Sequence, residues 1–195
     1  MTATKAPPVI RSQPIMGSVV SAHVLDDASS ELIDVVITGV FKELSHYESM
    51  FTTFQKTSEI SRINQGDLHI LDASREVIDV LDACFYLEGM SKGAFSAHRL
   101  VGSLDPAGFV KGWAVERASR QFDIAGLRHW YISLGGDMQL GDPPMDETTQ
   151  LFEWKVGIAD PHHHGGVVTG LTMGRGAVAT SGIAERSSHL VDPRT

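Results

Sequence analysis

The closing stretch of the chain sets Thr180-Ser181-Gly182 ahead of Glu185-Arg186, then places His189 beside Leu190-Val191 and ends the run with Asp192-Pro193. An acid, a cation and an imidazole at one edge are parts from which a proton-transfer site is built. The same residues also have an ordinary reading. Ser-Gly signals a turn, an exposed Glu-Arg pair contributes little to stability, and Asp-Pro marks a strand running into a loop. What distinguishes the two lies upstream.

Leu104-Asp105-Pro106-Ala107-Gly108-Phe109-Val110-Lys111 places an Asp and a Lys about a glycine where a loop meets a helical pattern. Free backbone amides at such a junction favour a phosphate, and Lys111 adds a cation. A carbonyl in the bend, such as that of Gly108, suits a hard cation. An N-capped helix with a solvated lysine accounts for the same residues. Leu134-Gly135-Gly136-Asp137 ends a strand with paired glycines, so a flat ligand could approach the backbone closely, or the pair is a tight turn. It is not Gly-x-Gly-x-x-Gly and no helical pattern follows, so a Rossmann reading fails.

Asp160-Pro161-His162-His163-His164 reads as a solvated loop rather than a metal centre, because adjacent histidines diverge. Gly-x-Ser-x-Gly, Walker lysine and His-Glu-x-x-His patterns are absent, which leaves hydrolase, NTPase and zinc-protease readings without support.

These residues need a frame. The 195 residues, 42% hydrophobic and 21% charged, suffice for one domain with a proper core. A net charge of -8 argues against nucleic acid as a partner, since phosphate-backbone binding needs clustered Lys and Arg. The lone cysteine, Cys84, excludes an intrachain disulfide and sits in an apolar helical stripe as a core thiol. No signal-peptide or membrane-spanning run is present, so the expectation is a cytoplasmic protein without membrane insertion.

Residues 1–14, with three prolines, are expected to form a loose arm ahead of a single domain over 15–195. Val20, Ala22 and Val24 alternate as in a half-buried strand. Leu32, Val36, Val40, Leu44 and Tyr47 line one face of a long helix. A second helix spans about Ser74–Glu88 with Gly89 as its cap, and a third begins near Phe109 and stops before Gly126. His129–Leu134, the Phe152-Trp154-Val156-Ile158 alternation and the Val167-Thr169-Leu171-Met173 alternation read as strands. Helices early and strands late at hairpin spacing predict an α+β fold with a largely antiparallel sheet.

Taken in order, these segments resemble the ApbE-like family of FAD:protein FMN transferases. The resemblance is carried by Met16-Gly17-Ser18, Ser58-Glu59-Ile60-Ser61-Arg62-Ile63-Asn64, Gly93-Ala94-Phe95 and Leu104-Asp105 through Lys111-Gly112. It continues in Leu134-Gly135-Gly136-Asp137, Gly157-Ile158-Ala159-Asp160-Pro161, Thr180-Ser181-Gly182 with Glu185-Arg186, and His189 through Thr195.

The resemblance implies an enzyme that binds FAD with Mg²⁺ and moves FMN onto a threonine hydroxyl of an acceptor flavoprotein, releasing AMP. By motif position Met16 and Phe54 contact the flavin or adenine rings, with Phe54 standing where the family often has Tyr. Ala94, Phe95, Ser96, Asp105 and Lys111 line the FAD pocket, joined by Gly135, Gly136, Ser181 and Gly182. The Gly108 carbonyl faces the metal, and His189 is the general base. The family usually has Asp after Gly-Ala-Phe where this chain has Ser96 followed by Ala97-His98, and the stretch to Leu104 is short, which resembles compact members. Its C-terminal Asp and Thr metal ligands have no counterpart in the 195 residues, and a C-terminally incomplete domain is the expectation. The same residues would also serve an FAD pyrophosphatase or a flavin-binding protein without catalysis.

Overall fold

Alternation in Ser18–Val24 has a direct outcome: Val20, Ala22 and Val24 are buried, and the strand they form is paired on both sides. The computed structural model describes residues 7–98, 102–145, 151–160, 162–163 and 165–180. In chain order these form β1 (Val9–Ile15), β2 (Ser18–Val24), α1 (Ser30–Phe51), α2 (Glu59–Gln65), α3 (Arg75–Met90) and α4 (Ala107–Ile124). Then follow β3 (Trp130–Leu134), β4 (Asp137–Leu140), β5 (Trp154–Ala159), β6 (Val167–Met173) and β7 (Gly176–Val178). The fold is α+β, with a five-stranded antiparallel sheet in the order β1-β2-β3-β4-β7 and a separate β5-β6 hairpin.

Helix α1 starts where Ser29 Oγ accepts the Leu32 N–H at 3.2 Å, which satisfies one of the unpaired amides of the first turn. Its stripe of Ile33, Val36, Ile37, Val40, Leu44 and Tyr47 is buried, whereas Leu32, expected on that face, is exposed. Helix α4 runs antiparallel to it. Gln121 donates to Glu43 Oε2 at 2.5 Å near one end of the contact, and the Trp113 ring meets Tyr47 and Phe51 at 4.7 and 5.6 Å near the other. Gly39 permits this approach, because a Cβ there would lie 2.3 Å from Gln121 Oε1. Below the helices Trp130 stacks on Phe122 at 4.9 Å, and both are fully buried. Cys84 is buried in α3, where loss of solvent raises its thiol pKa to about 11, as expected of an inert core thiol.

Several expectations need correction. Residues 9–14 are not a loose arm; they pair with β2 along its whole length as an edge strand, where Pro14 is tolerated. The polar stretch after Phe54 contains helix α2, capped by Ser58, whose Oγ accepts the Ser61 N–H at 3.0 Å. Helix α3 passes through Gly89 to Met90, and the left-handed residues lie beyond it at Lys92 and Gly93. Gly108 is inside α4, not in the bend before it. The alternation in β5 and β6 predicts the pairing and not the burial. Only Trp154 is buried there; it donates to the Gly141 carbonyl at 3.0 Å and sets its ring edge on Tyr131. Among the described residues no helix is long and apolar enough to cross a membrane.

The strands give the sheet two distinct ends. At one, Trp130, Leu140 and Gly176 lie in adjacent strands, and Arg175 pairs with Asp123 in the last turn of α4. Helix α4 therefore points its first turn toward the other end, where Ile15, Ser18, Leu134 and Asp137 stand. Because α1 is antiparallel to α4, its last turn and the loop after it arrive there too.

Candidate functional site

Two glycine-bearing turns define that second end. Ile15 pairs with Ser18, so Met16-Gly17 forms a two-residue connection with φ of 54° and 65°, the left-handed geometry that suits a strand hairpin. Leu134 pairs with Asp137 across Gly135-Gly136, whose φ values are 62° and 96°. Val20 pairs with Leu134, which makes the two turns neighbours. They are close enough that a Cβ on Gly135 would lie 2.9 Å from Ser18 Oγ. A Cβ on Gly136 would lie 3.2 Å from Thr180 Cβ.

Thr180, two residues past β7, is fastened to this turn. Its N–H donates to Asp137 Oδ1 at 2.9 Å, and its hydroxyl donates to the Gly136 carbonyl at 2.8 Å. The Thr180-Ser181-Gly182 motif thus begins on the Gly135-Gly136 turn. Ser181, Gly182, Glu185, Arg186 and His189 lie outside the described residues.

A second group of backbone bonds joins the helical motifs. The Thr52 carbonyl, just past α1, accepts the hydroxyls of Ser58 at 2.5 Å and Ser61 at 3.3 Å, which ties α2 to the core helix. Ser58 and Ser61 are buried, and these bonds satisfy their hydroxyls. From the far end of α2, Asn64 donates to the Leu104 carbonyl at 2.9 Å and accepts the Leu104 N–H at 2.7 Å. The next amide, of Asp105, donates to the Ala97 carbonyl at 2.7 Å. Asp105 Oδ1 then accepts the Ala107 N–H at 3.2 Å and opens α4.

The Gly93–Ser96 segment is positioned by the same chain of contacts. Ser91 Oγ accepts the Phe95 N–H at 2.9 Å, and the Gly93 N–H reaches back to the Glu88 carbonyl at 2.9 Å. Phe95 packs against the core, 3.4 Å from where a Cβ on Gly108 would stand. Ser96 Oγ accepts the His98 N–H at 3.0 Å. Lys111 lies one turn into α4 and is half-buried. Phe54, at the tip of the α1–α2 loop, is 94% exposed.

Met16, Gly135 and Gly136 thus share the turn end of the sheet, while Ala94, Phe95, Ser96, Asp105, Gly108 and Lys111 lie about the start of α4, which points toward that end, as does the α1–α2 loop with Phe54. An α-helix N-terminus carries partial positive charge from its unpaired amides. With Lys111 one turn in, such an arrangement favours phosphate oxygens, while the glycine turns leave the backbone open to a flat group.

The donors available to a hard cation are fewer. Gly108 is the second residue of α4, and helix carbonyls lean away from the first turn. Among the described residues no three His, Cys, Asp or Glu side chains converge as a metal set. A magnesium ion takes six oxygens and keeps several waters, so these residues fit as a minority of its shell. In the His162-His163 loop Asp160 accepts the His162 N–H at 2.8 Å and holds His163 Nδ1 at 2.9 Å in an exposed turn.

Asn64 and Asp137 also stand in this site, inside the motifs but without a role that the motifs mark. Their signal is local: an amide in the last turn of a Ser-capped helix, and a carboxylate directly after a glycine pair.

Known proteins bear on this arrangement. The ApbE family model matches residues 16–102 and 97–195. A FAD:protein FMN transferase from Rhodobacter capsulatus is 35% identical over 102 residues, a stretch covering 47% of this chain and 18% of that relative. The chain thus spans under a fifth of the curated relative it matches. Among solved structures, an ApbE protein from Thermotoga maritima superposes with a TM-score of 0.77 at 16% identity, covering 95% of this chain and 74% of that one. The flavin transferase ApbE from Vibrio cholerae gives 0.69 at 18% identity, with 96% and 77% covered. These structures share the fold, and the family model covers both the helical and the strand halves of the molecule; the chain belongs to the ApbE family.

Proposed function

We propose that the protein is an Mg²⁺-dependent FAD:protein FMN transferase that moves FMN from FAD onto a threonine hydroxyl of an acceptor flavoprotein and releases AMP. The observation that carries this reading is that the glycine turns of the sheet and the start of α4, with the Asn64 and Gly93–Ser96 segments bonded around it, are directed to the same end, and all of these are segments of the ApbE-like motif series. The name of the Rhodobacter capsulatus relative supports the substrate and the reaction class.

In this reading the threonine oxygen attacks the FMN phosphorus of the pyrophosphate. A new P–O bond forms, the bond to the AMP phosphate breaks, and the threonine proton passes to His189. Such a transfer rests on positioning and charge neutralisation more than on covalent chemistry by the enzyme. Lys111 and the first turn of α4 hold phosphate oxygens, with Asp105 fixing where that turn begins. Met16, Ala94, Phe95 and Ser96 form the wall, and the Gly135-Gly136 turn allows close approach of the backbone, with Ser181 and Gly182 as the FAD-binding residues the motif adds. Phe54 offers an exposed ring face for stacking on a flavin or adenine. When bound, magnesium would supply neutralisation of the pyrophosphate charge, and the Gly108 carbonyl, which leans along α4 away from its first turn, would be one ligand among water and phosphate oxygens.

The test incubates the protein with FAD, Mg²⁺ and an acceptor flavoprotein, then denatures the acceptor. Yellow fluorescence that stays with it, together with one AMP per flavin attached, is the expected result. AMP released at equal rates with and without acceptor would make the protein an FAD pyrophosphatase. FAD binding that is indifferent to Mg²⁺ and yields no AMP would make it a flavin-binding protein only.

A further inference from the structure

The side chain of Asn64 makes both bonds that a neighbouring strand would make to Leu104, one as donor and one as acceptor, across 40 residues of sequence. It stands in the last turn of a helix that is itself fastened to α1 through the Thr52 carbonyl, and whose Ile60 is fully buried. A continuous path thus runs from the core helix through α2 to Leu104. From there the next residue, Asp105, bonds both the Ala97 carbonyl and the first turn of α4.

We infer that Asn64 is a positioning residue of the flavin site, fixing the entry to α4 so that Asp105, Gly108 and Lys111 keep register with the Gly93–Ser96 wall. This rests on the FAD-binding reading given above. An amide is the side chain that can serve here: it presents a donor and an acceptor side by side, as a peptide group does, and carries no charge. The bonds to Leu104 alone would be structural. What extends them to function is that Leu104 is followed directly by Asp105, with no slack between the staple and the proposed pocket.

The molecule contains a matched control. Asp26 makes a comparable two-pronged staple at the opposite end, accepting the N–H groups of Arg128 at 2.9 Å and His129 at 2.8 Å. Both staples join distant segments and both bind backbone, but only one adjoins the proposed site.

The experiment compares Asn64→Ala with Asp26→Ala in the full chain, reading FAD affinity by flavin fluorescence at a temperature where both are folded by circular dichroism. The expected result is at least a tenfold weaker FAD affinity for Asn64→Ala and less than a twofold change for Asp26→Ala. Asn64→Asp supplies a readout that stability alone would not move. Its carboxylate faces the Leu104 carbonyl, whereas its neutral acid restores a donor beside an acceptor. Its FAD affinity relative to the unsubstituted chain should therefore recover as pH is lowered. Equal losses in the two alanine variants, or no recovery in Asn64→Asp, would overturn the assignment. Should the unsubstituted chain not bind FAD, the transferase reading fails separately, and hydrogen exchange of peptide 102–111 decides the positioning. Asn64→Ala must speed exchange at Leu104 and Asp105, and unchanged exchange there sinks the proposal.

Discussion

The two ends of the five-stranded sheet are built from different interactions. At the end bearing Trp130, charged side chains are interlocked. Arg175 pairs with both Asp123 and Asp142, Arg128 reaches Asp142 at 2.6 Å, and the Arg175 guanidinium lies 5.6 Å from the Trp130 ring centre. At the end bearing Gly135, the bonds described run mainly to backbone: Asn64 to Leu104, Ser91 to Phe95, Thr180 to Gly136. The first arrangement fixes the frame by side chains that satisfy one another. The second fixes backbone by side chains while leaving left-handed turns open at the surface. Among the described residues, it is the second end whose paired left-handed turns present exposed backbone to a ligand.

The largest effect should come from the frame end. Gly141 has no room for a side chain, since a Cβ would stand 2.6 Å from the Arg128 carbonyl oxygen and 2.7 Å from the Trp130 ring. Gly141→Val should destabilise the fold by about 3 kcal/mol or more, because backbone and a buried indole must both shift. Urea unfolding measures it, and a loss below about 1 kcal/mol would show that the frame end is looser than its contacts imply.

Gly136→Val sharpens the contrast. Its φ of 96° is adverse for a β-branched residue, and its Cβ would press on Thr180. The expected cost is about 1–3 kcal/mol of stability, smaller than at Gly141, with FAD binding lost disproportionately. If Gly136→Val binds FAD normally, the open turn is structural and the distinction between the ends collapses.

Arg175→Ala tests the frame end electrostatically. The residue is partly exposed, so removing its two ion pairs should cost only about 0.5–1.5 kcal/mol and leave FAD affinity unchanged. The sign of its pH dependence follows from Asp142, whose pKa is held below the ordinary 3.8, first by the hydrogen bond from Arg128 and also by Arg175. That stabilisation is present above pH 3.8 and is lost as pH falls toward the depressed folded value. Arg175→Ala should lose less stability over that acid window than the unsubstituted chain does.

What the sequence disclosed follows the same division. The β2 and α1 periodicities are legible because one face of each is buried, and the α+β class follows from them. β1 escaped notice because an edge strand with five exposed residues carries no alternation, and α2 because its seven residues are too few for a periodic stripe. The glycine turns announced themselves as motifs, but their adjacency did not: it depends on the β2–β3 register, which joins residues more than a hundred positions apart. The Asn64 staple was hidden for the same reason. Pairings set by topology leave no local trace, whereas caps and turns do.

The smallest expected effect lies on the sheet face away from the helices, between the two ends. His23 stacks on Tyr131 with ring centres 4.2 Å apart and planes 12° from parallel, and its Nε2 lies 3.2 Å from Ser21 Oγ. Burial lowers its pKa from the ordinary 6.5, because the charged imidazolium loses water there without gaining an anionic partner. The unfolded chain then binds a proton before the folded chain does, so stability is highest above pH 6.5 and declines as pH falls from 6.5 toward the depressed folded value. His23→Phe keeps a ring on Tyr131 and removes the titration, so it should flatten the urea midpoint across that window while leaving FAD affinity at fixed pH unchanged. A midpoint that still falls equally in His23→Phe would place the titration elsewhere. A change in FAD affinity would mean that the sheet face communicates with the turn end, which no bond described between them predicts.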